Sequence, residues 1–145
     1  MAEVTVSVDV DAPPERVWAA AVDWERQGEW IALTTVSGSH GLGGTLTAYT
    51  GIGPLGFTDP MTITTWDPPW RCVVRHDGRV VRGWAAFEVR PLPGGGSRFV
   101  WTEWLVLPLG SFGELGFAVV KPLVLAALRW SMRRFATFAR RHPQL

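Results

Sequence analysis

The chain has 145 residues, of which 47% are hydrophobic and 19% are charged, so its composition excludes a disordered chain and predicts one folded domain over residues 1–145. The single cysteine, Cys72, excludes an intramolecular disulfide, and because its neighbours are apolar we expect a buried, inert thiol. Charged residues run through the first 30 positions, which argues against a signal peptide and predicts a soluble, cytoplasmic protein.

The net charge of +1 hides an uneven layout along the chain. Residues 1–30 contain seven acids and two Arg, whereas residues 115–145 contain six cations and no acid. A basic terminal helix could meet nucleic acid or an anionic membrane, or its cations could complement the helix dipole and face the acidic N-terminal segment. We favour the last alternative and predict no nucleic-acid partner. Transient membrane contact through this basic C-terminal helix stays a hypothesis, and both a monomer and a homodimer fit the sequence.

The N-terminal segment predicts one strand and two short helices. Valines alternate with polar residues over positions 4–10, and this period of two is typical of a strand with one buried face. The prolines at positions 13 and 14 end the strand, and Pro14 opens a short helix that continues through Ala21. Asp23 can cap a second short helix over residues 24–30.

From position 32 onward the pattern changes to strands separated by turn residues. Six strands are predicted, at residues 34–37, 45–50, 57–66, 71–76, 80–90 and 98–107. Glycine, proline or an Asp-Gly pair occupies the main breaks, at residues 41–44, 51–56, 67–69, 77–78 and 93–96. Connections this short favour antiparallel hairpins over the helical crossovers that a parallel sheet needs.

The C-terminal segment, residues 112–141, predicts a long helix. Its apolar stripe, with members three or four residues apart, consists of Val120, Val124, Ala127, Ser131, Phe135 and Phe138, with Leu123 and Trp130 beside it. Pro122 lacks a backbone N–H and should either start a helix segment or kink the helix that passes through it. The apolar run at residues 115–128 is too short for a membrane span and is interrupted by Lys121 and Pro122.

Together these elements predict an α+β architecture. Its seven antiparallel strands form a curved sheet around one long C-terminal helix, with two short helices after the first strand. A curved sheet closed by a single helix leaves space between the two, and such spaces hold ligands.

Four segments carry a resemblance to known proteins. They are Val-Asp-Val-Asp-Ala-Pro-Pro-Glu-Arg-Val-Trp at 8–18, Asp-Pro-Pro at 67–69, residues 78–83 ahead of a long strand, and Trp-Thr-Glu-Trp-Leu at 101–105. With the order of elements, they resemble the helix-grip superfamily of START domains, polyketide cyclases/dehydrases and the birch pollen allergen. The bacterial polyketide-cyclase-like branch is the most similar. The resemblance covers nearly the whole chain and implies a cavity for an apolar or amphipathic ligand between sheet and helix.

Motifs for cofactors, metals and covalent catalysis give no positive signal. Residues 51–56 spell G-x-G-x-x-G, but residues 57–60 cannot open the helix that a dinucleotide site needs, so we predict a flexible loop near the cavity mouth instead. The histidines His40, His76 and His142 stand far apart, with no cysteine or carboxylate at ligand spacing. No serine or cysteine occupies a nucleophile elbow. We therefore predict no cofactor and no metal site.

Two polar residues stand on strand faces that are otherwise apolar. On the last strand, the face that holds Glu103 also holds two aromatic residues and two leucines, namely Phe99, Trp101, Leu105 and Leu107. If this face points inward, Glu103 lies in an apolar cavity; if the other face does, Glu103 is solvated. We favour the inward orientation. His76 shares a face with Cys72 and Val74 and is either a cavity acid/base or a surface residue of the Asp77-Gly78 turn.

Aromatic residues supply the remaining candidates for a binding site. Six of the nine tryptophans are candidate cavity walls, although two or three of them should belong to the ordinary core: Trp24, Trp30, Trp66, Trp84, Trp101 and Trp130. Tyr49 is the only phenol and lies on a strand next to the glycine-rich segment. The resemblance implies pocket groups that orient a poly-ketone, and Tyr49, His76, Arg82 and Glu103 are the nearest equivalents by type.

Two functions are consistent with these observations. The first is binding or transport of a hydrophobic small molecule, such as a lipid, an isoprenoid or a polyketide. The alternative is a polyketide cyclase or dehydratase, in which Glu103 or His76 acts as general acid/base and Tyr49 or Arg82 polarises a carbonyl group. The sequence leaves open whether any reaction is catalysed.

Overall fold

In the computed structural model, which describes residues 2–107 and 109–143, a seven-stranded antiparallel sheet curves around one long C-terminal helix. The strands are β1 Ala2–Val10, β2 Thr34–Gly38, β3 Thr45–Ile52, β4 Leu55–Asp67, β5 Arg71–Asp77, β6 Arg82–Pro91 and β7 Ser97–Leu105. The helices are α1 Pro14–Ala21, a 3₁₀ helix at Trp24–Glu29, and α2 Ser111–Arg141. The predicted α+β helix-grip architecture is confirmed.

The sheet has the strand order β1-β7-β6-β5-β4-β3-β2, and each neighbouring pair is antiparallel. All connections within the run from β2 to β7 are therefore hairpins, as the short glycine-rich breaks predict. The two helices after β1 carry the chain across to the opposite edge, where β2 begins. This crossover places the 3₁₀ helix and α2 over the same concave face.

The segment at residues 51–56 is a tight hairpin, so the prediction of a flexible loop there is wrong. Strand β3 continues to Ile52 and β4 begins at Leu55, which leaves two residues for the turn. Gly51 lies directly opposite Gly56, and a Cβ atom on Gly51 would collide with the backbone of β4. The glycines therefore allow two strands to approach closely.

Helix α2 is continuous from Ser111 to Arg141 and passes through Pro122. Its two halves differ in environment. The C-terminal half buries Ser131, Met132, Phe135 and Ala139 against the rest of the domain. The N-terminal half is largely exposed, and the exposed fraction of Leu123 is 74%. The predicted stripe is thus confirmed from Val124 onward, whereas Leu123 and Trp130 lie outside the packed face.

The core between sheet and helix is aromatic. The ring of Trp30, fully buried at the end of the 3₁₀ helix, contacts four other rings: Phe87, Phe99, Trp101 and Phe135. Truncation of such a large buried side chain to alanine typically costs about 3–5 kcal/mol of stability. This cluster closes one end of the interior, and the space beyond it remains unfilled.

Candidate functional site

A cavity of about 400 Å³ lies between the concave face of the sheet and helix α2, and it is partly open to solvent. All seven strands contribute to its wall, together with the 3₁₀ helix and the middle of α2. The alternation of side chains on each strand explains the apolar lining, because Leu46 and Ala48 of β3 and Val74 of β5 all point inward. A space of this size and character suits a small apolar or amphipathic molecule.

Three ionisable side chains form a cluster in the wall of this cavity. The Nδ1 atom of His76 lies 3.0 Å from Oδ1 of Asp59, and its Nε2 atom lies 2.9 Å from Oε2 of Glu103. The imidazole is 4% exposed, and the two carboxylates are 11% and 16% exposed. A cluster so well shielded from water keeps strong electrostatic interactions.

The sheet register brings these three residues together from three different strands. His76 on β5 pairs with Met61 on β4, and Asp59 lies two residues from Met61 on the same cavity face. On the other side His76 pairs with Gly83 of β6. Because glycine presents no side chain, the imidazole reaches across β6 to Glu103 on β7.

The protonation of His76 is set by its two carboxylate partners. Burial acts to lower the pKa of the imidazole, but the hydrogen bonds and the charges of Asp59 and Glu103 outweigh it and raise the pKa to about 10. The imidazole is therefore cationic at neutral pH and holds a proton between two carboxylates.

Two further cavity residues border the cluster. The Nε1 atom of Trp101 donates a hydrogen bond to Oε1 of Glu103 at 3.1 Å, which fixes the second carboxylate oxygen. Cys72 also lines the cavity, and burial raises the pKa of its thiol to about 12. The thiol is thus neutral, as expected for a buried, inert cysteine.

Four of the residues singled out from the sequence line the cavity: Trp24, His76, Trp101 and Glu103. Glu103 has the inward orientation that its apolar face predicts. His76 is buried at the end of β5, so the alternative of a surface turn residue is wrong. Hydrogen bonds join Glu103 to both His76 and Trp101, while the ring of Trp24 stacks on that of His40.

Tyr49 and Trp84 point away from the cavity, so the prediction that they line its wall is wrong. On β3 the neighbouring residues Ala48 and Thr50 line the cavity, and strand alternation therefore sends Tyr49 outward, where its hydroxyl donates to the carbonyl of Gly53. Trp84 is 41% exposed for the same reason, since its neighbours on β6 include the lining residue Ala85.

The other four sequence candidates also lie outside the cavity lining. Arg82 is exposed at the start of β6, and Trp130 is 43% exposed on α2, where the guanidinium of Arg134 covers its ring. Trp30 belongs to the packed aromatic core behind the cavity. Trp66 packs edge-on against Trp18 instead.

Sequence reasoning missed Asp59, although a signal for it exists. On β4 Asp59 shares a strand face with Phe57, Met61 and Ile63, in the same way that Glu103 sits on an apolar face of β7. A carboxylate on an apolar strand face is the common feature of both. Among the described residues, no group of three or more His, Cys, Asp or Glu side chains is arranged to hold a metal ion.

Comparison with known proteins identifies similar sequences and folds. The sequence model of a family described as polyketide cyclase / dehydrase and lipid transport matches residues 1–140. A sequence search of curated proteins finds no significant match.

Solved structures give several close structural matches. A protein of Thermus thermophilus superposes with a TM-score of 0.79 at 20% identity, over 95% of this chain and 97% of the other. The Zhui aromatase/cyclase of a Streptomyces species has a TM-score of 0.79 at 15% identity, over 97% and 94% of the two chains. A protein of Nitrosomonas europaea has a TM-score of 0.73 at 12% identity, over 95% and 94%. At these identities the matches establish the fold.

Proposed function

Because the chain belongs to the family of polyketide cyclases, dehydrases and lipid-transport proteins, we propose that it binds or carries a hydrophobic small molecule in the cavity under helix α2. The observation that carries this proposal is the apolar cavity of about 400 Å³, to which all seven strands contribute. A lipid, an isoprenoid or a polyketide has the required apolar surface. Proteins of this family are typically soluble, and we infer a cytoplasmic location for this one.

Native mass spectrometry of the purified protein tests the proposal, followed by organic extraction of any bound molecule. We expect a defined adduct that Ala48→Phe removes, because Ala48 is buried in the cavity wall and a benzyl side chain there fills the space. Thr47→Phe is the matched control, since Thr47 is exposed on the outer face of the same strand. Apo masses in all three proteins, with no tryptophan fluorescence change on adding fatty acids, isoprenoids or aromatic polyketides, would contradict binding in this cavity.

A second candidate function, cyclisation or dehydration of a polyketide-like substrate, is favoured by the Asp59–His76–Glu103 cluster. Cyclisation of a poly-ketone needs a base that removes a proton from the carbon between two carbonyls, and an acid that protonates the oxygen of the carbonyl attacked. A carboxylate of the cluster supplies the base, and the proton shared with His76 supplies the acid. The groups that would act as base and acid both lie on the cavity wall, where a bound apolar chain can reach them.

The catalytic alternative is tested by turnover of a linear poly-ketone, followed by mass spectrometry. Loss of turnover in Glu103→Gln, with turnover retained in Glu88→Gln, would support it, because Glu88 pairs with Arg90 away from the cavity lining. Turnover that survives Glu103→Gln would remove Glu103 from the chemistry. Ligand binding without turnover in the unmodified protein would leave binding or transport as the function.

We also propose that the N-terminal half of α2 contacts a membrane surface transiently. Among the described residues, α2 is the one helix that is long and apolar enough by length and composition to cross a membrane, and its most apolar stretch is exposed. Its C-terminal half packs against β1 and α1, so a surface contact fits better than a span. The exposed residues Lys121 and Arg129 add positive charge to the same helix.

Co-sedimentation with anionic liposomes at low salt tests the membrane contact. We expect binding that Val119→Glu weakens, because Val119 is 73% exposed and a carboxylate there is repelled by an anionic surface. Val80→Glu is a matched control, since Val80 is 65% exposed but lies between β5 and β6 rather than on α2. No co-sedimentation of the unmodified protein at low salt would remove this part of the proposal.

A further inference from the structure

The charges on the cavity wall are of one kind except for a single imidazole. Within the described residues that line the cavity, Asp59 and Glu103 supply two carboxylates and His76 supplies one imidazole, while Lys and Arg are missing. The nearby cations lie outside: Arg75 on β5 is exposed and bonded to Asp77. The net charge of the wall therefore depends only on how many protons the cluster holds.

The geometry of His76 fixes that number. Each ring nitrogen lies within hydrogen-bond distance of a carboxylate oxygen, of Asp59 at 3.0 Å and of Glu103 at 2.9 Å. A neutral imidazole has one N–H group, so both contacts are hydrogen bonds only if the ring is protonated or one carboxyl group carries the proton. The first arrangement joins one cation with two anions, and the second leaves a single anion. Both arrangements carry one net negative charge.

This negative charge lacks a cationic partner among the described residues. The indole of Trp101 donates to Glu103 but is neutral. The carboxylate of Asp59 is bonded to His76 through Oδ1, and among the described residues its Oδ2 atom has no hydrogen-bond donor. A net charge in an apolar cavity is costly unless it is paired. The free acceptor on Asp59 is therefore where a ligand can compensate the charge.

We propose that the ligand of this cavity carries a protonated amine at its polar end, and that Asp59 and Glu103 select it over carboxylate-bearing molecules. An ammonium group donates charge-assisted hydrogen bonds to Asp59 and brings the net charge of the cavity wall to zero. The indole of Trp101, which lines the same wall beside Glu103, also favours a cation through its π face. A fatty acid would add a second negative charge to the one already present.

The inference of charge selection rests on the proposed binding function. Three probes that share one alkyl chain test charge selection separately from binding itself. Decylamine, decanol and decanoate are titrated into the protein at pH 7, below their aggregation concentrations, with affinity measured by calorimetry. We expect decylamine to bind about tenfold more tightly than decanoate or better, with decanol between them. Binding of all three with equal affinity, or stronger binding of decanoate, would overturn the charge selection and leave the binding function intact. Failure of all three to bind would overturn both.

A matched pair of variants assigns the selectivity to the cluster. Asp59→Asn removes the net negative charge while keeping the size of the side chain, so we expect it to abolish the preference for decylamine over decanol. Asp9→Asn makes the same chemical change on an exposed aspartate that pairs with Arg98, and we expect it to bind like the unmodified protein. A preference for decylamine that survives Asp59→Asn shows that the cluster is not the source of selectivity. The ranking of probes by the unmodified protein stands as a test if Asp59→Asn does not fold.

Discussion

The indole of Trp30 meets the ring of Phe135 edge-on, with a centroid distance of 4.6 Å, and both side chains are fully buried. Trp30 directly follows the 3₁₀ helix and Phe135 lies in the C-terminal half of α2, so this contact joins the two elements that cover the sheet. On the other side Phe135 stacks on Phe99 of β7 at 4.2 Å. The helix is thereby fixed at one end of the interior, and its middle turns are left to form the roof of the cavity.

This arrangement predicts a large difference between two phenylalanines of the same helix. Phe135→Ala should lower the free energy of unfolding by about 3–5 kcal/mol, because it leaves a hole in the aromatic core. Phe112→Ala should change it by less than about 0.5 kcal/mol, since Phe112 is 81% exposed. Urea denaturation followed by circular dichroism measures both. Equal effects would mean that α2 is not fixed through Phe135.

The buried cluster predicts a dependence of stability on His76. His76→Ala leaves the carboxylates of Asp59 and Glu103 without their shared cation, and we expect the free energy of unfolding to fall by about 3–5 kcal/mol at pH 7. Adding Asp59→Asn and Glu103→Gln to His76→Ala should recover part of this loss, because it removes both unpaired charges. A triple variant less stable than His76→Ala would show that packing, and not charge, sets the cost.

The same group predicts how stability changes with pH. The folded pKa of His76 is raised to about 10 from 6.5, so its contribution is fully present below pH 6.5 and is lost as pH rises towards 10. The free energy of unfolding should fall by up to about 1.4 kcal/mol per pH unit within this window. His76→Gln should lack this slope, while any contribution from Cys72 is common to both proteins. Parallel curves for the two proteins between pH 6.5 and 9 contradict the assignment.

The fold was predictable because its signals are local. The alternating valines of β1 and the Asp-Gly or glycine-rich breaks between strands each act within a few residues. From them follow the number of strands and their antiparallel pairing, and the long final helix follows from an apolar stripe whose members are three or four residues apart. The hairpin at residues 51–56 was missed because its pair of glycines favours close strand approach as well as a loop, and only the register distinguishes the two.

The site was predictable only in part because it depends on register between strands. An apolar face on β7 predicts that Glu103 points inward, but nothing local shows that β6 places only the small residues Gly83 and Ala85 opposite His76 and Glu103. Tyr49 was assigned to the cavity by residue type, and its strand face contradicts that assignment. Asp59 was overlooked although its strand face carries the same signal as that of Glu103.

Cys72 allows the cavity wall to be probed directly by chemical modification. Burial raises the pKa of its thiol from 9.0 to about 12, so at pH 8 the thiolate population is far lower than in the unfolded chain. We therefore expect iodoacetamide to modify Cys72 slowly in the folded protein and completely in urea, as measured by intact mass. Ser37→Cys is the control, because position 37 is exposed on β2 and its thiol should react rapidly while Cys72 does not.

Since Cys72 lines the cavity, a bound ligand should slow its modification further. Rapid modification of Cys72 in the folded protein would indicate that this wall of the cavity opens to solvent.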